Sequence, residues 1–166
     1  MQQHDDPWDS SRKCVAPDQL AEMVPWLQRP LVFTNGVFDL LHVGHVACLQ
    51  AAARQGRSLV VGLNSDASAR GLGKPGERPF CPLQDRARVV AALACVSWVS
   101  WFDRATPAEL LAALKPDVYV KGGDYSLEQL PETPQVHSWG GRVVIVPYIA
   151  GHSSTRLMAR MQAVLS

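Results

Sequence analysis

The sequence predicts a doubly wound α/β domain, and two observations carry that reading. Short apolar segments, Leu31-Val32-Phe33-Thr34 and Leu59-Val60-Val61 among them, lack the apolar–polar alternation of a half-exposed strand. Strands buried on both faces of a parallel sheet read this way. Stretches with helical patterning lie between them, so strand and helix alternate along the chain. The expectation is a single Rossmann-like domain: a parallel five-stranded sheet with helices on both faces, spanning residues 13–166 behind a flexible tail of residues 1–12.

The elements follow in order. Pro17-Asp18-Gln19-Leu20 opens a short helix that Pro25 limits. Leu31–Thr34 is the first strand, and Asn35-Gly36 reads as a turn. A helix fits from about Gly44 to Arg54, with Val46, Leu49 and Ala53 near helical spacing. Ser58–Leu63 is the second strand, and Ser65-Asp66-Ala67-Ser68 looks like a helix start. Residues 71–82 are rich in Gly and Pro and read as a loop; Leu83–Val96 is an amphipathic helix. Ser97–Phe102 is a third strand. Thr106-Pro107-Ala108-Glu109 combines a Thr cap, Pro at the first helical position and Glu at the third. Asp117–Val120 and Arg142–Val146 are the fourth and fifth strands, and Ser153 or Ser154 caps a last helix ending near Leu165. In such a sheet ligands bind at the carboxyl ends of the strands, which places the loops after residues 34, 63, 120 and 147 on one rim.

Composition narrows the function. Hydrophobic residues at 47% and charged residues at 19% are values of a soluble globular domain, which removes disordered and fibrous classes. A formal net charge of +1 gives no basic field for nucleic acid, so any phosphate must be bound by a few placed residues. No apolar run approaches the roughly 20 residues that span a bilayer, and the start, Met1-Gln2-Gln3-His4-Asp5-Asp6, is unlike a signal peptide. Cys14, Cys48, Cys81 and Cys95 form no C-x-x-C pair, and buried free thiols in a reducing cytoplasm are expected.

One motif misleads. Gly71-Leu72-Gly73-Lys74-Pro75-Gly76 matches the dinucleotide pattern G-x-G-x-x-G, but it follows a helix and runs into Arg78-Pro79 and Pro82. The fingerprint must follow a strand and open a helix. A loop that brings Lys74 and Arg78 over phosphates is the better reading.

The chemistry concentrates in the first strand-to-helix connection, Thr34-Asn35-Gly36-Val37-Phe38-Asp39-Leu40-Leu41-His42-Val43-Gly44-His45. Two histidines three residues apart share one side of a helix start. Gly44 lets a ligand approach the backbone there, where free N–H groups already attract anions. Two surface histidines on an amphipathic helix would be the plain alternative. A metal pair lacks a third ligand at useful spacing and leaves Gly36 and Gly44 unexplained.

Gly36-x-Phe38-Asp39-x-x-His42-x-Gly44-His45 resembles the signature of the cytidylyltransferase-like nucleotidyltransferases. The resemblance covers about residues 30–165. It extends to Val61-Gly62-Leu63-Asn64-Ser65-Asp66, to Arg78-Pro79, to Pro116-Asp117-Val118-Tyr119-Val120-Lys121-Gly122-Gly123-Asp124-Tyr125, and to Ser153-Ser154-Thr155. The Lys121–Tyr125 segment narrows it to the branch acting on heptose phosphates. The resemblance implies transfer of AMP from ATP to D-glycero-β-D-manno-heptose 1-phosphate, giving ADP-heptose and pyrophosphate for the lipopolysaccharide core.

By the same resemblance, His42, His45, Lys74 and Lys121 are the catalytic donors. Thr34, Asn35, Gly36, Phe38, Gly44, Arg78, Ser153, Ser154 and Thr155 hold the nucleotide. Asp39, Asn64, Asp66, Gly122, Gly123 and Asp124 face the sugar phosphate. Local roles compete with some of these: Asp39 as loop organiser, Asn64 and Asp66 as helix caps, Ser153–Thr155 as a plain cap, and Asp124 as the shaper of the Gly122-Gly123 turn. Trp98 and Trp101 fit a core or subunit contact better than ligand stacking. Mg²⁺ is expected on the ATP phosphates and water, with no protein ligand assigned, and a homo-oligomer, a dimer, is implied.

Two departures stand out. Heptose relatives usually carry S-T-T where this chain has Ser153-Ser154-Thr155, and many are fused behind a sugar kinase that is not found in this sequence. A separate kinase is then expected to supply the substrate. Two rival readings remain. One is a cytidylyltransferase for glycerol 3-phosphate or a related alcohol phosphate, whose R-T-x-G-I-S-T-T stretch is replaced here by Pro147-Tyr148-Ile149-Ala150-Gly151-His152. The other is a nucleotide-binding regulatory module without catalysis.

Overall fold

The computed structural model describes residues 6, 8–73, 78–123, 126–147, 151, 154, 157 and 158. Its centre is a five-stranded parallel sheet: β1 (Leu31–Gly36), β2 (Ser58–Asn64), β3 (Trp98–Phe102), β4 (Val118–Gly122) and β5 (Arg142–Val146), in the order β3-β2-β1-β4-β5. The helices are α1 (Pro17–Met23), α2 (Val43–Ala53), α3 (Asp66–Gly71), α4 (Leu83–Ala91), α5 (Ala108–Leu114) and α6 (Thr133–His137). The predicted fold class is the observed one.

Each strand sends alternate residues to opposite faces, and both faces are covered. Val32, Leu59, Val61, Val99, Val118 and Val120 pack against Leu49 and Ala52 of α2 and Ala87, Val90 and Ala91 of α4. On the other face Phe33, Val60 and Tyr119 meet Leu20 of α1, Leu110, Leu111 and Leu114 of α5 and Val136 of α6. Gly62 makes this second layer possible, because a Cβ there would lie 2.7 Å from Cζ of Phe33. Trp98 and Trp101 are partly buried, one against each layer.

Several boundaries differ from the sequence reading, each for a tertiary reason. Asn35-Gly36 continues β1 because both residues stay paired with β2, through Gly36 opposite Leu63. Strand β4 runs on to Gly122, paired with Val146, so Lys121 belongs to the strand itself. Helix α4 stops at Ala91 rather than near Val96: the Lys13 ammonium donates to the carbonyls of Ala91 and Val96 and holds a turn between them. Helix α5 begins at Ala108. Pro107 is its cap residue, the Leu111 N–H donating to the Pro107 carbonyl, and Thr106 does not cap it.

Helix α6 and 3-10 turns at Ser10–Lys13, Val24–Trp26 and Leu127–Gln129 were not anticipated. The Val15 N–H donates to the Val99 carbonyl, which fastens the segment after the first of these turns to the sheet edge. The four cysteines are free but half-buried rather than fully buried, and burial pushes the thiols of Cys14, Cys48 and Cys95 up.

The strand order fixes where a ligand can sit. From β1 the chain moves outward to β2 and β3, then crosses back to β4 on the opposite side of β1. The crevice above the carboxyl ends of β1 and β4 is therefore the topological switch point, where ligands bind in sheets of this kind.

Candidate functional site

The loop leaving β1 is built to present the two histidines. Phe38 takes a left-handed conformation, φ 49°, and its ring turns back into the core, leaving 7% of the residue exposed. The ring lies over Gly36, where a Cβ would come within 2.9 Å of Cε2, and it supports His45 at a centroid distance of 5.3 Å. A side chain at residue 36 is thus excluded by the same packing that props up His45.

His42 is the cap of α2, with extended backbone dihedrals, and its Nδ1 accepts the Gly44 N–H at 3.1 Å. His45 Nδ1 accepts the His42 N–H at 3.3 Å. The rings stack at 3.9 Å. A nitrogen that accepts an N–H carries no proton, so in the neutral form each ring holds its proton on Nε2. Two imidazole donors at a helix N-terminus form an arrangement suited to phosphate oxygens.

Asn35 and Lys121 bridge the switch-point crevice. They follow Phe33 and Tyr119, which are register partners with stacked rings, by two residues each, so they emerge on the same face one step nearer the rim. The Asn35 Oδ1 accepts from Lys121 Nζ at 2.9 Å and from the Tyr119 hydroxyl at 2.8 Å. Burial holds the Lys121 ammonium below the ordinary lysine range, while the charge of Glu132 pulls it back up.

The other predicted residues fall into two groups. Asp39 organises the loop: its carboxylate accepts the N–H groups of Phe80 and Cys81 at 2.9–3.0 Å and ties the β1–α2 connection to the far end of the 71–82 loop. The Ser154 Oγ donates to the Leu40 carbonyl at 3.3 Å, which brings Ser154 to this rim, and Arg78 Nη2 approaches the Met158 sulfur at 3.1 Å; most of the expected last helix lies outside the described residues. Gly122 and Gly123 follow Lys121, with the Gly123 N–H donating to the Val146 carbonyl. Thr34 and Asn64, by contrast, are buried, and Asn64 donates to the Ser68 Oγ. Neither Asn64 nor Asp66 caps α3; Ser65 does, accepting the Ser68 N–H. Asp66 is instead paired with Arg86 at 2.6 Å. Lys74, Asp124, Ser153 and Thr155 lie outside the described residues.

Three residues at the site escaped the sequence reading. Arg86, 1% exposed, donates from Nε to the Cys81 carbonyl, from Nη1 to those of Val37 and Asn64, and from Nη2 to Asp66. One guanidinium thereby joins the loops after β1 and β2 to the end of the 71–82 segment. Its signal was present: Leu83, Ala87, Val90 and Ala91 form the apolar stripe of α4, and Arg86 sits within it, where a charge must have internal partners. Tyr119 reads only as a strand residue, although its place two before Lys121 puts it on the same face. Glu132 lies in a stretch with no periodicity.

Among the described residues no group of three or more His, Cys, Asp or Glu is placed to hold a metal ion, and no helix is long and apolar enough to cross a membrane. Similarity to known proteins agrees with the geometry. The model of the cytidylyltransferase-like family matches residues 33–156. The D-beta-D-heptose 1-phosphate adenylyltransferase of Bordetella bronchiseptica is 53% identical over 136 residues, covering 82% of this chain and 84% of that protein. The bifunctional protein HldE of Streptomyces coelicolor is 54% identical over 144 residues, which is 87% of this chain but 31% of that protein's length.

Among solved structures, the lipopolysaccharide core biosynthesis protein from Thermoplasma volcanium has a TM-score of 0.59 at 27% identity, over 72% of this chain and 95% of the other. Pantothenate synthetase from Thermus thermophilus, with a TM-score of 0.60 at 17% identity over 92% and 73% of the two chains, shares the fold. With the family model covering most of its length and the paired histidines standing at the start of α2, this chain belongs to the cytidylyltransferase-like family.

Proposed function

We propose that the protein transfers AMP from ATP to D-glycero-β-D-manno-heptose 1-phosphate, releasing pyrophosphate and giving ADP-heptose for the lipopolysaccharide core. The observation that carries the reaction type is the pair of stacked histidines at the start of α2, on the same rim of the sheet as Lys121 at the end of β4. The substrate choice is supported by the Bordetella relative, 53% identical over 84% of its length.

A phosphate monoester has its second pKa near 6 and is largely ionised at pH 7, so the acceptor oxygen attacks the α-phosphorus without a general base. The site then has to align acceptor and triphosphate and stabilise charge on the departing pyrophosphate. His42 and His45 donate to the triphosphate as that charge develops. Lys121 is held at the rim by Asn35 and meets phosphate oxygens, and Lys74 and Arg78 close over them from the 71–82 loop. Asn35, Gly36 and Gly44 face the nucleotide with Thr34 and Phe38 behind them, and Ser153, Ser154 and Thr155 complete its phosphate end. Gly122, Gly123 and Asp124 face the sugar, while Asp39, Asn64 and Asp66 shape that side from within.

Mg²⁺ accompanies the triphosphate and offsets its charge. The Asp39 carboxylate is engaged by two backbone N–H groups and Asp66 by Arg86. The protein is further read as a cytoplasmic homodimer, which sedimentation of the purified chain tests.

The deciding assay is pyrophosphate release with ATP, CTP and GTP, each offered heptose 1-phosphate and glycerol 3-phosphate. Turnover with ATP and heptose 1-phosphate is expected. Turnover only with CTP and glycerol 3-phosphate would replace this reading by the cytidylyltransferase one, and nucleotide binding without turnover would leave a regulatory module.

A further inference from the structure

Glu132 is out of place as a structural residue. It precedes α6 and is 5% exposed, yet its side chain makes no capping hydrogen bond to that helix. Its Oε2 is buried without a hydrogen-bond partner. A carboxylate oxygen shut away from water with no hydrogen-bond donor costs free energy. Groups left in this condition collect where a ligand completes them. The position fits: Glu132 acts electrostatically on Lys121, whose ammonium stands at the carboxyl end of β4 beside Asn35 and above Tyr119.

A buried anionic acceptor whose charge acts on a cation at the crevice rim matches a ligand that carries both a phosphate and a hydroxyl. Lys121 takes a phosphate oxygen, and Glu132, which can only accept, takes an O–H. We propose that Glu132 is a specificity-determining residue for the acceptor, its Oε2 receiving a hydroxyl of the phosphorylated sugar whose phosphate lies on Lys121. This rests on the transfer to a sugar phosphate set out above and adds to it the group that reads the sugar. It also predicts an asymmetry, because ATP binding through His42 and His45 does not involve Glu132.

The test is steady-state kinetics of Glu132→Gln beside the parent enzyme, with each substrate varied in turn, together with thermal unfolding of both. A hydrogen bond to a charged group accounts for about tenfold or more in discrimination. The expected result is a KM for heptose 1-phosphate raised about tenfold, a KM for ATP within about twofold, and a melting temperature no lower than the parent's. In the parent, one of a set of monodeoxy heptose 1-phosphates loses a similar factor, and in Glu132→Gln that analogue loses nothing further. An unchanged sugar-phosphate KM, an equal rise for ATP, or a lowered melting temperature without the kinetic asymmetry would overturn the proposal. Should the parent use CTP and glycerol 3-phosphate instead, the substrate reading falls by itself, and the same comparison on that acceptor still decides Glu132.

Discussion

Replacing Arg86 by methionine tests whether one buried guanidinium holds the rim together. The side chain is fully enclosed and supplies four hydrogen bonds: to the carbonyls of Cys81 at 2.9 Å, Val37 at 2.7 Å and Asn64 at 3.0 Å, and to the Asp66 carboxylate at 2.6 Å. Methionine fills much of the volume and donates nothing. Each carbonyl left without a donor costs on the order of 1 kcal/mol. Asp66 is 32% exposed, so water screens the loss of its partner and the cost there is also about 1 kcal/mol.

The total is about 4 kcal/mol, a large fraction of the ~5–15 kcal/mol that holds a domain together. In a domain of this size each kcal/mol moves the melting temperature by about 2–4 °C, so a fall of about 10 °C is expected in circular-dichroism melts. Urea unfolding should show a lower midpoint with an unchanged slope. Arg86→Lys should recover less than half of the loss, because a single ammonium cannot meet three carbonyls on separate loops as the planar fork does. A shift under about 2 °C for the methionine variant, or full recovery by lysine, would refute the assignment of the rim's rigidity to these bonds.

Other outcomes follow from the site. His42→Ala and His45→Ala should each lower pyrophosphate release about 10²-fold; His42→Ala should also cost about 1 kcal/mol of stability as a lost cap, so an active His42→Ala enzyme would remove the donor role. Gly36→Ala sets a methyl group 2.9 Å from the Phe38 ring, and with overpacking costs of about 1–3 kcal/mol it should lower both stability and turnover as the support under His45 shifts; parent-like kinetics would contradict that chain of contacts. Lys121 has its folded pKa below the unfolded value of 10.5, so between the two the unfolded chain binds more protons and stability rises with pH. Its unfavourable contribution is complete below the folded pKa and fades above it. The stability difference between the parent and Lys121→Met should therefore move in the parent's favour as pH climbs towards 10.5, and a flat difference across that range would refute the desolvation of Lys121.

The fold was legible because its signals are local: continuous apolar runs such as Leu59–Val61 and the polar breaks between them. The paired histidines were legible for the same reason, since His42 and His45 sit within one turn of each other. What the sequence hid depends on residues distant along the chain. Arg86 reads as a surface charge until the carbonyls of Val37 and Asn64 are brought around it. Asn35-Gly36 reads as a turn until β2 pairs with it. Asn64 and Asp66 look like caps or ligands, whereas Ser65 caps α3 and the other two face inward. Glu132 carries no pattern of its own, and only its burial beside Lys121 gives it meaning.

The strand order also decides when the site can exist. Strands β1, β2 and β3 all lie within residues 31–102. Strand β4 must then close a loop of about eighty residues to reach the free edge of β1, and that closure carries an entropic cost which delays it. Lys121 arrives only with that pairing, while both histidines lie earlier in the chain at the start of α2. A chain still emerging from the ribosome could thus present the histidines and their helix start, yet lack the opposite wall of the crevice. Catalytic competence therefore waits on the long crossover to β4 and on the segments that follow it.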